Sequence, residues 1–210
     1  TLRNEQLSSV LRDAEARYVA ANPRSAKLSG EAQGHLPGGN TRTTVHFSPF
    51  PLYIAKGEGS RLTDVDGHSY IDFINEYTAG VFGHSNALIA ETISRTIAQG
   101  LNFGAPTEHE VKLSAELRKR FPAMELLRFC NSGTEANLLA MATARAVSRK
   151  DTIMIFNGAY HGSVFYFSHG PSPLNMPFPV ITSTFNDPEK AASDIAKHGG
   201  KLAAVIVEPM

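Results

Sequence analysis

Four short apolar runs, at residues 126–131, 152–156, 179–184 and 202–208, alternate with segments of helical spacing in the second half of this chain. Apolar runs of this length suit strands buried on both faces. Strand–helix–strand alternation predicts a mainly parallel α/β sheet. Gly133 ends the first run, and a helix is expected over 134–147. Asp187-Pro188 opens a further helix that closes at Gly199-Gly200. Open sheets of this class bind ligands beyond the carboxyl ends of their strands. The residues that follow each run are therefore the place to look for chemistry.

The first half reads differently. Leu7, Val10, Leu11, Ala14 and Tyr18 predict an amphipathic helix over 7–20, and a Gly/Pro-rich loop follows at 36–40. Extended segments are expected at 52–55 and 60–73, the second folded back at Asp66-Gly67. Leu88, Ile89, Ile93 and Ile97 share one face of a helix over 86–99. Thr107 and Glu110 have capping-box spacing before a helix reaching about residue 120.

Composition narrows the function classes. Lys+Arg 20 against Asp+Glu 20 leaves zero net charge, so no basic footprint points to nucleic acid or an anionic membrane. The single cysteine, Cys130, excludes a disulfide within the chain and reads as a small buried hydrophobe. No apolar stretch reaches the ~18 residues of a membrane span. A cytoplasmic protein without metal is expected. The chain closes at Met210, on an apolar run with no covering helix after it, which predicts that these 210 residues are the front part of a longer polypeptide.

Three strand ends carry chemistry. Asn131-Ser132-Gly133-Thr134-Glu135-Ala136-Asn137 lies where a strand gives way to a helix. Free N–H groups at a helix start suit an anion, Gly133 lets a ligand approach, and Ser132 and Thr134 add donors. The same residues also make a plain capping box, Ser132 with Glu135. Asn157-Gly158-Ala159-Tyr160-His161-Gly162 follows the second run and offers a ring to a flat ligand, or simply a glycine-rich loop with a rim aromatic. Glu208-Pro209 ends the fourth run and brings a carboxylate to the same edge, or a surface acid.

In this order, N-S-G-T-E-A at 131–136, Y-H-G at 160–162 and V-E-P at 207–209 resemble the class III aminotransferases, pyridoxal 5'-phosphate (PLP) enzymes of fold type I. The hairpin Asp64-Val65-Asp66-Gly67-His68-Ser69-Tyr70-Ile71-Asp72 and the pair Gly83-His84 resemble the same family, although Ser85-Asn86-Ala87 lacks its usual nearby proline. The resemblance implies that Ser132, Gly133 and Thr134 bind the PLP phosphate, that Tyr160 stacks on the ring, and that Glu208 supports the cofactor from its other face. It implies residues 1–75 as a segment of the small domain and substrate pocket, and 76–210 as the first half of the large domain. The family's Schiff-base lysine and pyridinium aspartate fall after its V-E-P element. Both are therefore expected beyond Met210, and no catalytic residue is assigned within 1–210. A homodimer with shared active sites is implied as well.

The front loop, Pro37-Gly38-Gly39-Asn40-Thr41-Arg42-Thr43-Thr44-Val45, bears on substrate choice. Together with Ala55-Lys56-Gly57-Glu58-Gly59 and Asn75-Glu76-Tyr77-Thr78-Ala79-Gly80 it resembles the β-amino-acid aminotransferases, such as those acting on β-phenylalanine. There the matching arginine takes the substrate carboxylate, which makes Arg42 and Glu76 the substrate-binding candidates and a keto acid the acceptor in a ping-pong reaction. In the glutamate-1-semialdehyde aminomutases, the nearest alternative, the arginine comes several residues later. A nucleotide-binding oxidoreductase lacks support because no G-x-G-x-x-G follows a strand. A non-catalytic remnant is the third alternative.

The 210-residue chain on its own is thus expected to be ordered only beside the remainder of its polypeptide, and to turn over no substrate. Borohydride reduction with PLP followed by peptide mapping checks this. A stoichiometric pyridoxyl-lysine inside the chain, with turnover, is the contrary result.

Overall fold

The computed structural model describes residues 2–167 and 170–209. Met210, the residue beyond which the Schiff-base lysine is expected, lies outside the described residues. The chain divides into two compact units between Pro106 and Thr107. No helix among the described residues is long and apolar enough to cross a membrane.

The first unit opens with α1 (Leu2–Ala21) and α2 (Pro23–Gln33). Sequence periodicity foresees α1 but not α2, although Pro23 at the first helical turn marks its start. Asn22 gives α2 no side-chain cap. Instead Asp66, from much later in the chain, accepts the amides of Arg24 and Ser25 at 2.7 and 3.0 Å and the Ser25 hydroxyl at 2.8 Å. A carboxylate there satisfies amides that the helix itself leaves open. Asp66 belongs to the turn of a three-stranded antiparallel sheet, β1 (Ile54–Glu58), β2 (Arg61–Asp64) and β3 (Ser69–Ile71), in sequential order. The hairpin read from Asp66-Gly67 is there, joining β2 to β3.

Asp64 closes that hairpin from inside. It is only 2% exposed and accepts the His68 amide at 2.8 Å, the His68 ring Nδ1 at 3.0 Å and the Tyr70 hydroxyl at 2.9 Å. Burial pushes its carboxyl up, but these hydrogen bonds outweigh burial and hold it below the ordinary carboxylate value. Burial and the Asp64 charge push the Tyr70 hydroxyl up to about 12. The unit ends with α3 (Ala87–Ile97), whose N-cap Asn86 accepts the Ile89 amide at 3.2 Å.

The second unit begins with α4 (Glu108–Arg120). Thr107 occupies its N-cap position, but the capping box expected there does not form, because the Thr107 side chain makes no cap bond. Next come α5 (Gly133–Ser148), β4 (Thr152–Phe156), β5 (Val180–Ser183), α6 (Pro188–His198) and β6 (Leu202–Val205). The strands form a parallel sheet in the order β5-β4-β6, with fully buried β4 in the centre. Met141 of α5 packs with Ile153, Ile155, Phe165 and Phe167 to make the core. Asp187 caps α6 as the sequence suggests, accepting the Lys190 amide at 2.9 Å.

One expected strand is corrected. Residues 126–131 carry no strand, since a strand exists only through its ladder and no described segment pairs with this one. Leu126 is accordingly 94% exposed. The run at 202–208 is strand only to Val205, although the Ile206 amide still donates to Met154 at 3.0 Å.

Asp64→Asn would turn an amide toward donors that now meet a carboxylate. In the full-length protein it should lower stability by about 1–3 kcal/mol at neutral pH. The folded carboxyl is held below its unfolded value of about 4. Its contribution is thus present above that value and lost as pH falls through the lower folded one. The variant should show a flatter acid limb. An unchanged Tm and acid limb in thermal melts from pH 2 to 7 would contradict this account.

Candidate active site

The second unit builds a cradle at the start of α5. Ser132 is the N-cap, with extended backbone (φ −154°, ψ 160°), and its Oγ accepts the Glu135 amide at 3.1 Å. Glu135 reaches back to accept the Asn131 amide at 2.7 Å. The Ser132 half of the capping box therefore forms, while Glu135 reaches one residue further back than a capping box would, and neither bond uses up the site. The amides of Gly133 and Thr134, at the first turn, have no intrahelical acceptor. Thr134 Oγ1 accepts the Ser163 amide at 3.2 Å. Each hydroxyl thus commits a lone pair to a backbone N–H and keeps its own proton to donate. Two amides and two hydroxyl donors at a helix N-terminus suit an anion.

The loop after β4 borders this cradle. Asn137 Nδ2 donates to the His161 carbonyl at 2.9 Å, tying the loop to α5. Gly162 has φ +111°, and a Cβ there would lie 2.2 Å from Thr134 Oγ1, so only glycine fits. Tyr160 is 44% exposed and makes a T-shaped contact with Tyr166 at 5.4 Å between ring centres, which leaves ring surface free for a planar ligand. Its amide donates to Glu208 Oε2 at 2.9 Å. Glu208 is thereby fixed to the Tyr160 loop across 48 residues of chain. His161 is buried, and its Nε2 has no partner among the described residues. Burial pushes the imidazole below its ordinary value, against the pull of the Glu208 carboxylate.

Arg42 and Glu76 lie in the first unit. Arg42 is exposed and has no ion-pair partner among the described residues; its carbonyl accepts the Val45 amide at 3.1 Å, closing a single 3₁₀ turn over Thr43–Val45. Glu76 sits in a second 3₁₀-type turn, Asn75–Thr78, in which all four residues have positive φ, between 49° and 73°. A left-handed run of non-glycine residues costs roughly 1–2 kcal/mol per residue. Asp72 offsets it by accepting the amides of Ile74 and Asn75, both at 2.9 Å. The Tyr77 hydroxyl donates to the Thr44 carbonyl at 3.2 Å and so joins this turn to the Arg42 turn. Glu76 itself does not pair with Arg42; its Oε1 lies 3.4 Å from His84 Nδ1.

Comparison with known proteins agrees with this picture. A family model described as aminotransferase class-III matches residues 43–210. The chain belongs to the class III aminotransferases. Its relatives include a protein named beta-phenylalanine transaminase from Variovorax paradoxus, 42% identical over 97% of this chain and 47% of that protein. The crystal structure titled as the beta-phenylalanine aminotransferase of that organism superposes with a TM-score of 0.92 at the same identity and coverage. A glutamate-1-semialdehyde 2,1-aminomutase 2 from Brevibacillus brevis is 37% identical over 89% of this chain and 48% of that protein. A structure titled "Transaminase with PLP bound" has a TM-score of 0.82 and 35% identity, over 90% of this chain and 47% of that one. The chain spans about half the length of the relatives it matches. The fold type I architecture expected from the sequence is the observed one.

The residues present fit the cofactor that class III aminotransferases use. A Cβ built on Gly133 would meet nothing within 4 Å, so a phosphate has room above the first turn. The orphaned His161 Nε2 marks a buried polar position that awaits a partner. The cradle brings together Ser132, Gly133, Thr134 and the Tyr160–Glu208 pair that the sequence singles out, with Asn137 and Ser163 bonding to their surroundings, while Asp72 and Tyr77 hold the turns of Glu76 and Arg42 in the first unit. Asn137, Asp72 and Tyr77 lie inside runs that the sequence marks, whereas Ser163 lies in none.

Gly162→Ala should push the Thr134 hydroxyl out of place and weaken cofactor retention in the full-length protein. We expect the PLP concentration needed for half-maximal cofactor absorbance to rise at least about tenfold, as 1.4 kcal/mol of lost contact would give. Wild-type titration by a normally folded variant would contradict the reading.

Proposed function

We propose that the full-length protein containing this chain transfers the amino group of a carboxylate-bearing amino acid, a β-amino acid in particular, to a keto acid, using pyridoxal 5'-phosphate. One observation carries the cofactor assignment. The hydroxyls of Ser132 and Thr134 each accept a backbone amide, so both are left as donors beside the open amides of Gly133 and Thr134. The proposed roles follow. Ser132, Gly133 and Thr134 hold the phosphate. Tyr160, its amide fixed by Glu208, lays its ring on the pyridine. When bound, the cofactor acts as the electron sink that lets a substrate C–H bond next to the amine break. The lysine that carries the cofactor and the aspartate on its pyridinium nitrogen belong, in this reading, to the polypeptide after Met210.

Arg42 is the proposed carboxylate receptor. It has no ion-pair partner among the described residues, and a guanidinium fork matches a carboxylate with two hydrogen bonds. Glu76 borders the same substrate position. The segment 1–75 would serve the substrate pocket and the small domain, and 76–210 the cofactor-binding domain. A ping-pong order, with product leaving before the keto acid binds, and a homodimer located in the cytoplasm complete the proposal.

The aminomutase-named relative supports a second reading, in which both half-reactions act on one carbon skeleton. Dependence of turnover on an added keto acid separates the two, since a mutase needs none.

Arg42→Ala in the full-length enzyme should lower kcat/KM for a β-amino acid by about 30- to 1000-fold, as the loss of a charge-assisted bidentate pair on the order of 2–4 kcal/mol would give. The corresponding amine without a carboxylate should be little affected. Equal losses for both compounds, in parallel steady-state assays, would remove the role.

A further inference from the structure

The Asn75–Thr78 turn poses a question that its neighbours answer. A left-handed run of four side-chain-bearing residues presents Glu76, whose side chain is 58% exposed, on a backbone that costs energy to hold. The group that touches the Glu76 carboxylate is His84. Its Nδ1 lies 3.4 Å from Glu76 Oε1, and its Nε2 lies 2.8 Å from Asp72 Oδ2. His84 is held on its other sides as well. Its amide donates to the Gly59 carbonyl at 2.8 Å and its carbonyl accepts the Gly59 amide at 3.0 Å. Its ring lies against Gly57, where a Cβ would fall 2.6 Å from Cγ, and the following Ser85 hydroxyl donates to the Gly57 carbonyl at 2.7 Å. Asp72 is equally fixed, with side-chain exposure of 7% and its other oxygen on the Ile74 and Asn75 amides.

We propose that His84, anchored by Asp72, is the positioning residue that sets where Glu76 presents its carboxylate to the substrate. Asp72 serves two ends of one device: one oxygen holds the start of the strained turn, and the other aims the imidazole at the side chain the turn carries. His84 Nε2 is hydrogen-bonded to Asp72 while Nδ1 lies within reach of the Glu76 carboxylate, so the ring bridges the two side chains. A glutamate on a free loop would sample many rotamers. One held by a part-buried Asp–His pair loses fewer on meeting a ligand, which is the energetic value of a positioned group. The proposal rests on the reading of Glu76 as a substrate-side residue.

The test is a double-mutant cycle in the full-length enzyme, His84→Gln and Glu76→Gln singly and together, with nitrogen NMR of labelled histidine beside it. The resonance of His84 Nδ1 should move in Glu76→Gln while its Nε2 stays, and far-ultraviolet spectra should be unchanged. Each single variant should raise KM for the β-amino acid by about two- to fivefold with little change in kcat, the scale of a partly exposed ion pair. The double variant should be no worse than the worse single one. Losses that multiply in the double variant, or an unmoved Nδ1 resonance, would overturn the proposal. An unchanged KM in Glu76→Gln with a moved Nδ1 resonance would instead leave the contact standing and remove the substrate role of Glu76. Gly57→Ala, whose Cβ would fall 2.6 Å from His84 Cγ and 3.0 Å from Nδ1 and so displace the ring, should reproduce the KM change of His84→Gln. A wild-type KM there would count against the proposal.

Discussion

The Thr134 hydroxyl accepts the amide of Ser163 at 3.2 Å, and it occupies the space that a side chain on Gly162 would need. This contact joins the first turn of α5 to the loop that leaves β4, two segments separated by 29 residues. Without it the first turn of the helix and the Tyr160 loop would be joined only through Asn137, one turn further along α5. With it, the Asn137 bond to His161 and the Glu208 bond to Tyr160 become parts of one rigid rim. The central strand β4, buried along its whole length, sets the height of that rim, and α5 packs against the same sheet through Met141. Sites on strand ends and helix starts can hold a ligand to a fraction of an ångström because the core already fixes their backbone.

In the first unit, three aspartates organise the backbone. Asp64 closes the hairpin from inside, Asp66 caps a helix from outside it, and Asp72 holds the left-handed turn. Each carboxylate accepts at least one main-chain amide that would otherwise be unpaired, and each is held below the ordinary carboxylate value; for Asp72 the Asn75 amide and then the His84 ring are the main causes. Amides are short-range donors, so each carboxylate fixes local geometry rather than a diffuse field. In a small sheet with little core of its own, polar side chains define the turns that packing cannot.

What the sequence makes legible depends on the range of the interaction. Local patterns are plain. The Asp66-Gly67 hairpin, α5, α6 with its Asp187 cap, and the buried strands β4 and β5 follow from spacing and turn residues alone. The helix α2 escapes because its cap, Asp66, comes from far along the chain, and no local rule contains it. Residues 126–131 look like a strand because they are apolar, yet a strand is a property of a pair, and sequence shows only one member. The cradle residues stand out because they belong to one ordered set of motifs. The roles of Asp72, Tyr77 and Ser163 do not, since each acts through a hydrogen bond to a segment 3 to 33 residues away whose meeting only the fold decides.

The two candidate regions differ in how their backbone is held, and the difference fits what each is proposed to recognise. The cradle in the second unit is unstrained apart from its glycines, and its donors are backbone amides and hydroxyls that no surface substitution easily moves. An invariant ligand such as a phosphate asks for that. In the first unit, the Arg42 turn is one short 3₁₀ segment joined by the Tyr77 hydroxyl to a turn whose four residues all have positive φ. Strain of this kind persists only when surrounding contacts over-determine it, and here Asp72, His84 and Tyr77 supply them. Changing any one of the three alters how Glu76 and Arg42 are presented while leaving the core of the second unit untouched. Under the proposed roles, substrate preference would vary through a handful of polar contacts in the first unit, and the cofactor chemistry would not need to change with it.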